Sequence, residues 1–219
     1  VVVATAPKCG TTWMQRIVGL LVFGDPAPRS VDEDSPWIDR NGADLDEIWA
    51  AIGAQQHRRY LKSHLPLDSL PLFDEVFYIH VARDGRDAAM SIHDMVMGTK
   101  PGAAQRSDPD QPSPYELVSP DVGTFFRDWL SSGVTAEQDD GSPFVSFFDL
   151  ENSFWAERAR PNLLMVHYND LKADLDGEMH RIAAFLGIAI DEAVWPALVR
   201  AATFEEMRKI IQFRDPVLG

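Results

Sequence analysis

Cysteine is almost missing from the 219 residues: Cys9 stands alone, so no disulfide can form within the chain. That usage suits a reducing compartment, and the expected location is the cytoplasm. Long apolar runs are missing too. The longest, 17–23, fits inside one helix, which argues against a transmembrane segment, and no signal peptide is visible. Basic residues are scarce, with 20 Lys and Arg against 34 Asp and Glu and a net charge of −14. Such a balance excludes an extended nucleic-acid surface, because phosphate contacts need clustered cations. Any anion site must therefore be a local pocket of positive charge. There are no repeats and no low-complexity segments. The chain begins without Met and directly on an apolar strand, and is expected to be incomplete at both termini.

With 45% hydrophobic residues the chain can bury one sizeable core, so 1–219 is expected to be a single domain. Short β-branched and aromatic runs at 1–5, 59–64, 75–82 and 163–167 read as strands. Helical spacing marks the stretch after residue 11, then 44–56, 88–96, 124–131, 144–158, about fifteen residues ending at Gly187, and 191–209. Alternating strands and helices imply an α/β fold, with a central parallel sheet flanked by helices and ligands at the carboxyl ends of the strands. Residues 25–41 read as a Pro- and Asp-rich connector. The stretch 98–123 carries five prolines and is expected to be a mobile loop.

Ala6-Pro7-Lys8-Cys9-Gly10-Thr11-Thr12-Trp13 lies between the first strand and the first helix. A loop there presents free backbone N–H groups at the positive end of a helix dipole, which suits a phosphate or sulfate oxyanion. Gly10 permits close approach, Thr11 and Thr12 add donors, and Lys8 adds a charge. It is not a Walker A loop, where Lys follows the second glycine; here Lys8 precedes Gly10. Nor does Cys9 open the C-x5-R pattern of a thiolate phosphatase, since position 15 is Gln15 and Arg16 comes one place late. Lys8, His64 and Arg83 each sit just past the end of an expected strand, which points to one composite site.

Pro7-Lys8-Cys9-Gly10-Thr11-Thr12-Trp13 resembles the phosphosulfate loop, P-K-x-G-T-T-W, of the sulfotransferases that use 3′-phosphoadenosine 5′-phosphosulfate (PAPS). Further segments resemble the same family in the family's order. They are Lys62-Ser63-His64-Leu65-Pro66, then Arg83-Asp84-Gly85-Arg86-Asp87 with Ser91, Tyr168-Asn169-Asp170-Leu171, and Thr203-Phe204-Glu205-Glu206-Met207. The resemblance implies a P-loop-like nucleotide-binding (sulfotransferase) fold and transfer of a sulfuryl group from PAPS, as co-substrate and without a metal, to an acceptor hydroxyl.

It also implies roles. His64 would be the general base, with Lys8 and Lys62 stabilising charge around the transferring group. Arg83 and Ser91 would hold the 3′-phosphate, while Arg86 and Asp87 are structural. Trp13, Tyr168 and Phe204 would contact the adenine, and the backbone from Lys8 to Trp13, Cys9 and Gly10 included, would cradle the phosphosulfate. The family's first Thr in T-S-F-x-x-M is Ala202 here, so one base-reading hydrogen bond is not expected. The family also continues into an R-K-G-x-x-G-x-W segment; only Phe213-Arg214-Asp215 bears any likeness to it, and the remainder is expected to be a lid that orders on ligand binding.

The overall likeness is to bacterial enzymes acting on glycolipids or phenols, so an apolar small-molecule or lipid acceptor is expected. Trp37, His93 and Met95 are its candidate pocket residues. Two rival readings stand beside this one. One is a nucleotide- or lipid-binding module with degenerate catalysis; the other is a P-loop-type kinase, against which the position of Lys8 argues. A homodimer is left open.

Overall fold

The structure, a computed structural model, describes residues 1–40, 44–98, 118–131, 133, 145–207 and 209. Four strands form one parallel sheet: β1 (Val2–Ala4), β2 (Leu61–Ser63), β3 (Tyr78–Ala82) and β4 (Leu163–His167), in the order β2-β1-β3-β4. Val3 lies level with Lys62 of β2 and Ile79 of β3, and Ile79 in turn with Leu164 of β4. The helices are α1 (Thr11–Phe23), α2 (Val31–Asp34), α3 (Leu45–Ala54), α4 (Gly85–Gly98), α5 (Val122–Ser131), α6 (Phe147–Ala156), α7 (Tyr168–Ala173), α8 (Leu175–Leu186) and α9 (Trp195–Ala201).

Side-chain alternation along the strands divides the interior in two. Val3, Ile79, Val81 and Val166 point to one face and pack with α1, α8 and α9. Val2, Ala4, Tyr78 and Leu163 point to the other and pack with α4, α5 and α6. Helix α1 is buried nearly all round, as an apolar helix beside a central strand must be. Even Arg16 is inside, 3% exposed, its guanidinium donating to the carbonyls of Pro26 and Ala27 at 2.9 and 3.1 Å. Gly187 stops α8 in the left-handed region (φ 63°), with Ile188 N–H returning to the Ala183 carbonyl at 2.9 Å.

The chain leaves β1, pairs next on one side as β2, then returns to the other side as β3. The strand order therefore reverses at β1, and the crevice above its carboxyl end is where such sheets take ligands.

Some boundaries differ from the pattern reading. β3 starts at Tyr78 rather than at residue 75, because Asn162 Nδ2 donates to the carbonyls of Phe73 and Val76 at 3.0 and 2.9 Å and holds that stretch as a turn. α4 starts at Gly85 rather than residue 88. The Asp84 carboxylate accepts from Arg86 N–H at 2.9 Å, so the expected RDGRD turn is the first turn of the helix. The connector 25–41 contains α2, capped by Ser30, whose hydroxyl accepts from Glu33 N–H. Of the expected mobile loop 98–123, residues 99–117 lie outside the described residues, as do Phe213, Arg214 and Asp215.

Candidate functional site

The loop between β1 and α1 holds two unusual backbone conformations. Gly10, the residue before α1, has φ 106°, and a Cβ there would stand 2.9 Å from the Tyr168 ring. Glycine is thus required twice over, by conformation and by space. Lys8 is left-handed at φ 65° without being glycine, a conformation that costs on the order of 1–3 kcal/mol. It is held there by Arg83, whose guanidinium donates to the Lys8 carbonyl at 2.8 Å. No side chain caps α1, and its first helical bond is Met14 N–H to the Gly10 carbonyl, so the N–H groups of Thr11, Thr12 and Trp13 precede the ladder. The Thr11 hydroxyl is bonded to that of Thr5, which leaves the exposed Thr12 as the outward-facing hydroxyl. Cys9 is fully buried and its thiol is pushed far up by burial, so it is an inert loop residue.

His64, just past β2, swings over the end of β1. Its Nδ1 lies 2.8 Å from the Thr5 carbonyl; a carbonyl only accepts, so Nδ1 carries the proton and Nε2 keeps the lone pair. Burial, and then the neighbouring Lys62, push the imidazole down to about 4, against the Thr5 hydrogen bond. The ring is neutral at physiological pH. Its other neighbour is Trp37, edge-on with centroids 5.1 Å apart.

Three cations share the neighbourhood. Lys62 lies over the Trp37 ring at 4.0 Å and is pushed down by burial, with a further push from Lys8. Lys8 is pushed down by burial and by Arg83. Arg83, past the end of β3, lies over the Tyr168 ring at 4.5 Å, and its Nε is buried without a hydrogen-bond partner among the described residues. These groups repel one another, and an anion placed among them relieves that repulsion. The ends of β1, β2 and β3 thus bring Lys8, Lys62, His64 and Arg83 together at the switch point.

The aromatic candidates meet at the same, N-terminal end of α1. Trp13 packs edge-on against Tyr168 (5.4 Å) and Phe204 (6.1 Å), and its indole N–H donates to the Ala202 carbonyl at 2.7 Å. Trp13 is only 5% exposed, whereas Phe204 is 53% exposed, so the accessible aromatic surface of this corner is on Phe204. Ser91 is half-buried on α4, two turns beyond Arg83. His93 and Met95 follow on the same helix. The His93 ring packs on Phe125 of α5 at 5.1 Å, and its Nε2 is buried without a partner among the described residues.

A sulfotransferase domain model matches residues 1–214. The chain belongs to the sulfotransferase domain family. It is 35% identical to a glycolipid sulfotransferase of Mycobacterium bovis over 95% of this chain and 69% of that protein. With human sulfotransferase 2B1 it shares 29% identity over 94% of this chain and 51% of that protein. Among solved structures it is similar to mouse sulfotransferase SULT7A1 complexed with PAP, with a TM-score of 0.69 and 20% identity over 95% of this chain and 65% of that one. The chain thus spans about two thirds of the length of the mycobacterial protein and slightly less of the mouse one.

Three parts of this sulfotransferase domain's site escaped the pattern reading. One is the Thr5 carbonyl, a backbone group that no side-chain motif reveals. Another is Asp94 of α4, the anion that opposes the downward push on Lys8. The third is Asp39, whose Oδ2 accepts from His64 N–H at 2.8 Å. A signal for it existed: in an extended segment Asp39 falls on the same side as Trp37, two residues earlier. Among the described residues no group of three or more His, Cys, Asp or Glu is arranged to hold a metal ion, and no helix is long and apolar enough to cross a membrane.

Proposed function

We propose that this domain moves a sulfuryl group from PAPS to a hydroxyl of an apolar acceptor, with His64 as general base. The observation that carries the reading is His64 itself. It is a neutral imidazole tethered through Nδ1, its Nε2 without a hydrogen-bond partner among the described residues, beside Lys62 and close to Lys8 and Arg83.

The residues fit such a donor by their chemistry. A multiply charged anion needs several converging donors, and the uncapped start of α1, Lys8, Lys62 and Arg83 supply them. PAPS, when bound, supplies the activated sulfuryl group, whose transfer breaks its bond to the 5′-phosphate oxygen. His64 Nε2 takes the acceptor's proton as the hydroxyl oxygen attacks. Lys8 and Lys62 offset the negative charge that builds on the transferring group and on the departing phosphate. A nearby polyanion favours the imidazolium and so raises the basicity of His64 from its depressed value when proton transfer is due. Arg83, with Ser91 on α4, would take the 3′-phosphate, and Phe204 and Tyr168 the adenine.

For the acceptor, we favour a glycolipid hydroxyl over a phenol, on the strength of the mycobacterial likeness; Trp37, His93 and Met95 are its proposed lining. A cytoplasmic location is part of the same reading, since the only cysteine is unbridged. The depressed imidazole also supports a second reading, a nucleotide- or lipid-binding module without turnover.

Labelled-sulfate transfer from PAPS to a panel of glycolipids and phenols, with calorimetry of 3′-phosphoadenosine 5′-phosphate (PAP), tests both. The enzyme reading expects turnover that falls about 10²–10⁴-fold in His64→Ala while PAP binding persists. Binding with no His64-dependent transfer would establish the module instead.

A further inference from the structure

Residues 36–38 meet β2 at an isolated parallel bridge, and the chain turns at residues 38 and 39. Lys62 N–H donates to the Pro36 carbonyl at 2.9 Å, Ile38 N–H donates to the Lys62 carbonyl at 3.0 Å, and Trp37 lies level with Lys62. In a parallel ladder the next bond runs from His64 N–H to the carbonyl of Ile38. Here that N–H donates to the Asp39 carboxylate. A carboxylate therefore occupies a position where the backbone pattern calls for a neutral carbonyl oxygen, on the main-chain N–H of His64.

We propose that Asp39 is a positioning residue for sulfuryl transfer, its carboxylate fixing the backbone of His64 and keeping the ammonium of Lys62 charged. The inference rests on the roles given above to His64 and Lys62. Lys62 lies over the Trp37 ring, His64 packs edge-on against the same ring, and the Asp39 carboxylate holds the His64 N–H, so the four residues are linked in one place.

Among the described residues, charged groups on three segments act on Lys62. Lys8 of the anion loop and burial work against its charge, while Asp32 of α2 and Asp39 work for it. The Trp37 ring lies beneath it, and the neutral His64 feels its charge. Asp39 is itself pushed upward by burial and drawn down by the hydrogen bond from His64 N–H. Without its charge, Lys62 keeps one supporting anion against Lys8 and a dry surrounding, and loses its proton at lower pH.

Asp39→Asn separates charge from shape, because the amide oxygen can still accept from His64 N–H. We expect the alkaline limb of kcat to move down by about one pH unit in Asp39→Asn. Asp39→Glu should restore the limb, and Asp39→Ala should lower kcat across the whole pH range. In parallel, the titration of Lys62, followed by NMR of its ε-carbon, should move down in Asp39→Asn. An unchanged Lys62 midpoint, or a superimposable pH–rate profile, overturns the inference. The broader reading fails by a different result, His64→Ala turning over like wild type, and the Lys62 titration decides the role of Asp39 even then.

Discussion

His64 and His80 hold successive carbonyl oxygens where β1 ends: His64 Nδ1 lies 2.8 Å from the Thr5 oxygen and His80 Nδ1 lies 2.9 Å from the Ala4 oxygen. Successive carbonyls of an extended strand point to opposite sides. One therefore meets the imidazole arriving from β2 and the other the imidazole of β3. The two rings bracket the point from which the anion loop departs, yet they differ in every other respect. His64 Nε2 has no hydrogen-bond partner among the described residues, whereas His80 is fully buried, stacked on Phe154 with centroids 4.1 Å apart, and its Nε2 lies 3.1 Å from Glu151 Oε2.

That difference separates a chemical histidine from a structural one. Removing the partner of a buried polar group leaves it unsatisfied, at a cost of about 1–3 kcal/mol. Glu151→Leu should destabilise the domain by about 2 kcal/mol in urea unfolding, with Glu151→Gln costing less because its amide can still pair with His80.

His64 makes a signed prediction about pH. Its folded value of about 4 lies below the ordinary 6.5, so the unfolded chain binds more protons between these limits and stability falls as pH falls through that window. The contribution present above pH 6.5 is on the order of 3 kcal/mol. His64→Asn should flatten the dependence of unfolding free energy on pH between about 6.5 and 4, whether or not the protein is an enzyme.

Arg83 ties Lys8 into its left-handed conformation and carries one of the site's cations. Arg83→Ala should weaken PAP binding about 10- to 100-fold by calorimetry, in line with the loss of charge-assisted hydrogen bonds. Lys in its place should recover only part, since an ammonium cannot hold the Lys8 carbonyl and an anion with the same fork.

Gly10→Ala meets both a disfavoured φ and the Tyr168 ring at 2.9 Å. It should destabilise the domain by about 1–3 kcal/mol and lower PAP affinity more than thermal stability alone explains, because the loop cannot relax without displacing the N–H groups of α1. Retained affinity with an unchanged melting point would show that the loop tolerates a side chain there.

Much of the architecture was written locally. The β-branched run at the start, the exact span of β4, the Asp44 cap of α3 and the Gly187 stop all follow from side-chain periodicity and backbone preference, which act over a few residues. So does the anion loop, because a Pro-Lys-Cys-Gly-Thr-Thr turn between an apolar strand and an apolar helix leaves few alternatives. What local patterning could not supply was the order β2-β1-β3-β4. That order alone stands Lys8, Lys62, His64 and Arg83 together, although they are up to 75 positions apart. Only the folded chain decided which nitrogen of His64 carries the proton, that Trp13 is enclosed while Phe204 is open, and that Asp39 takes the place of a backbone carbonyl at the His64 N–H. Those outcomes depend on burial and on hydrogen bonds between distant segments, and neither is encoded in any short stretch.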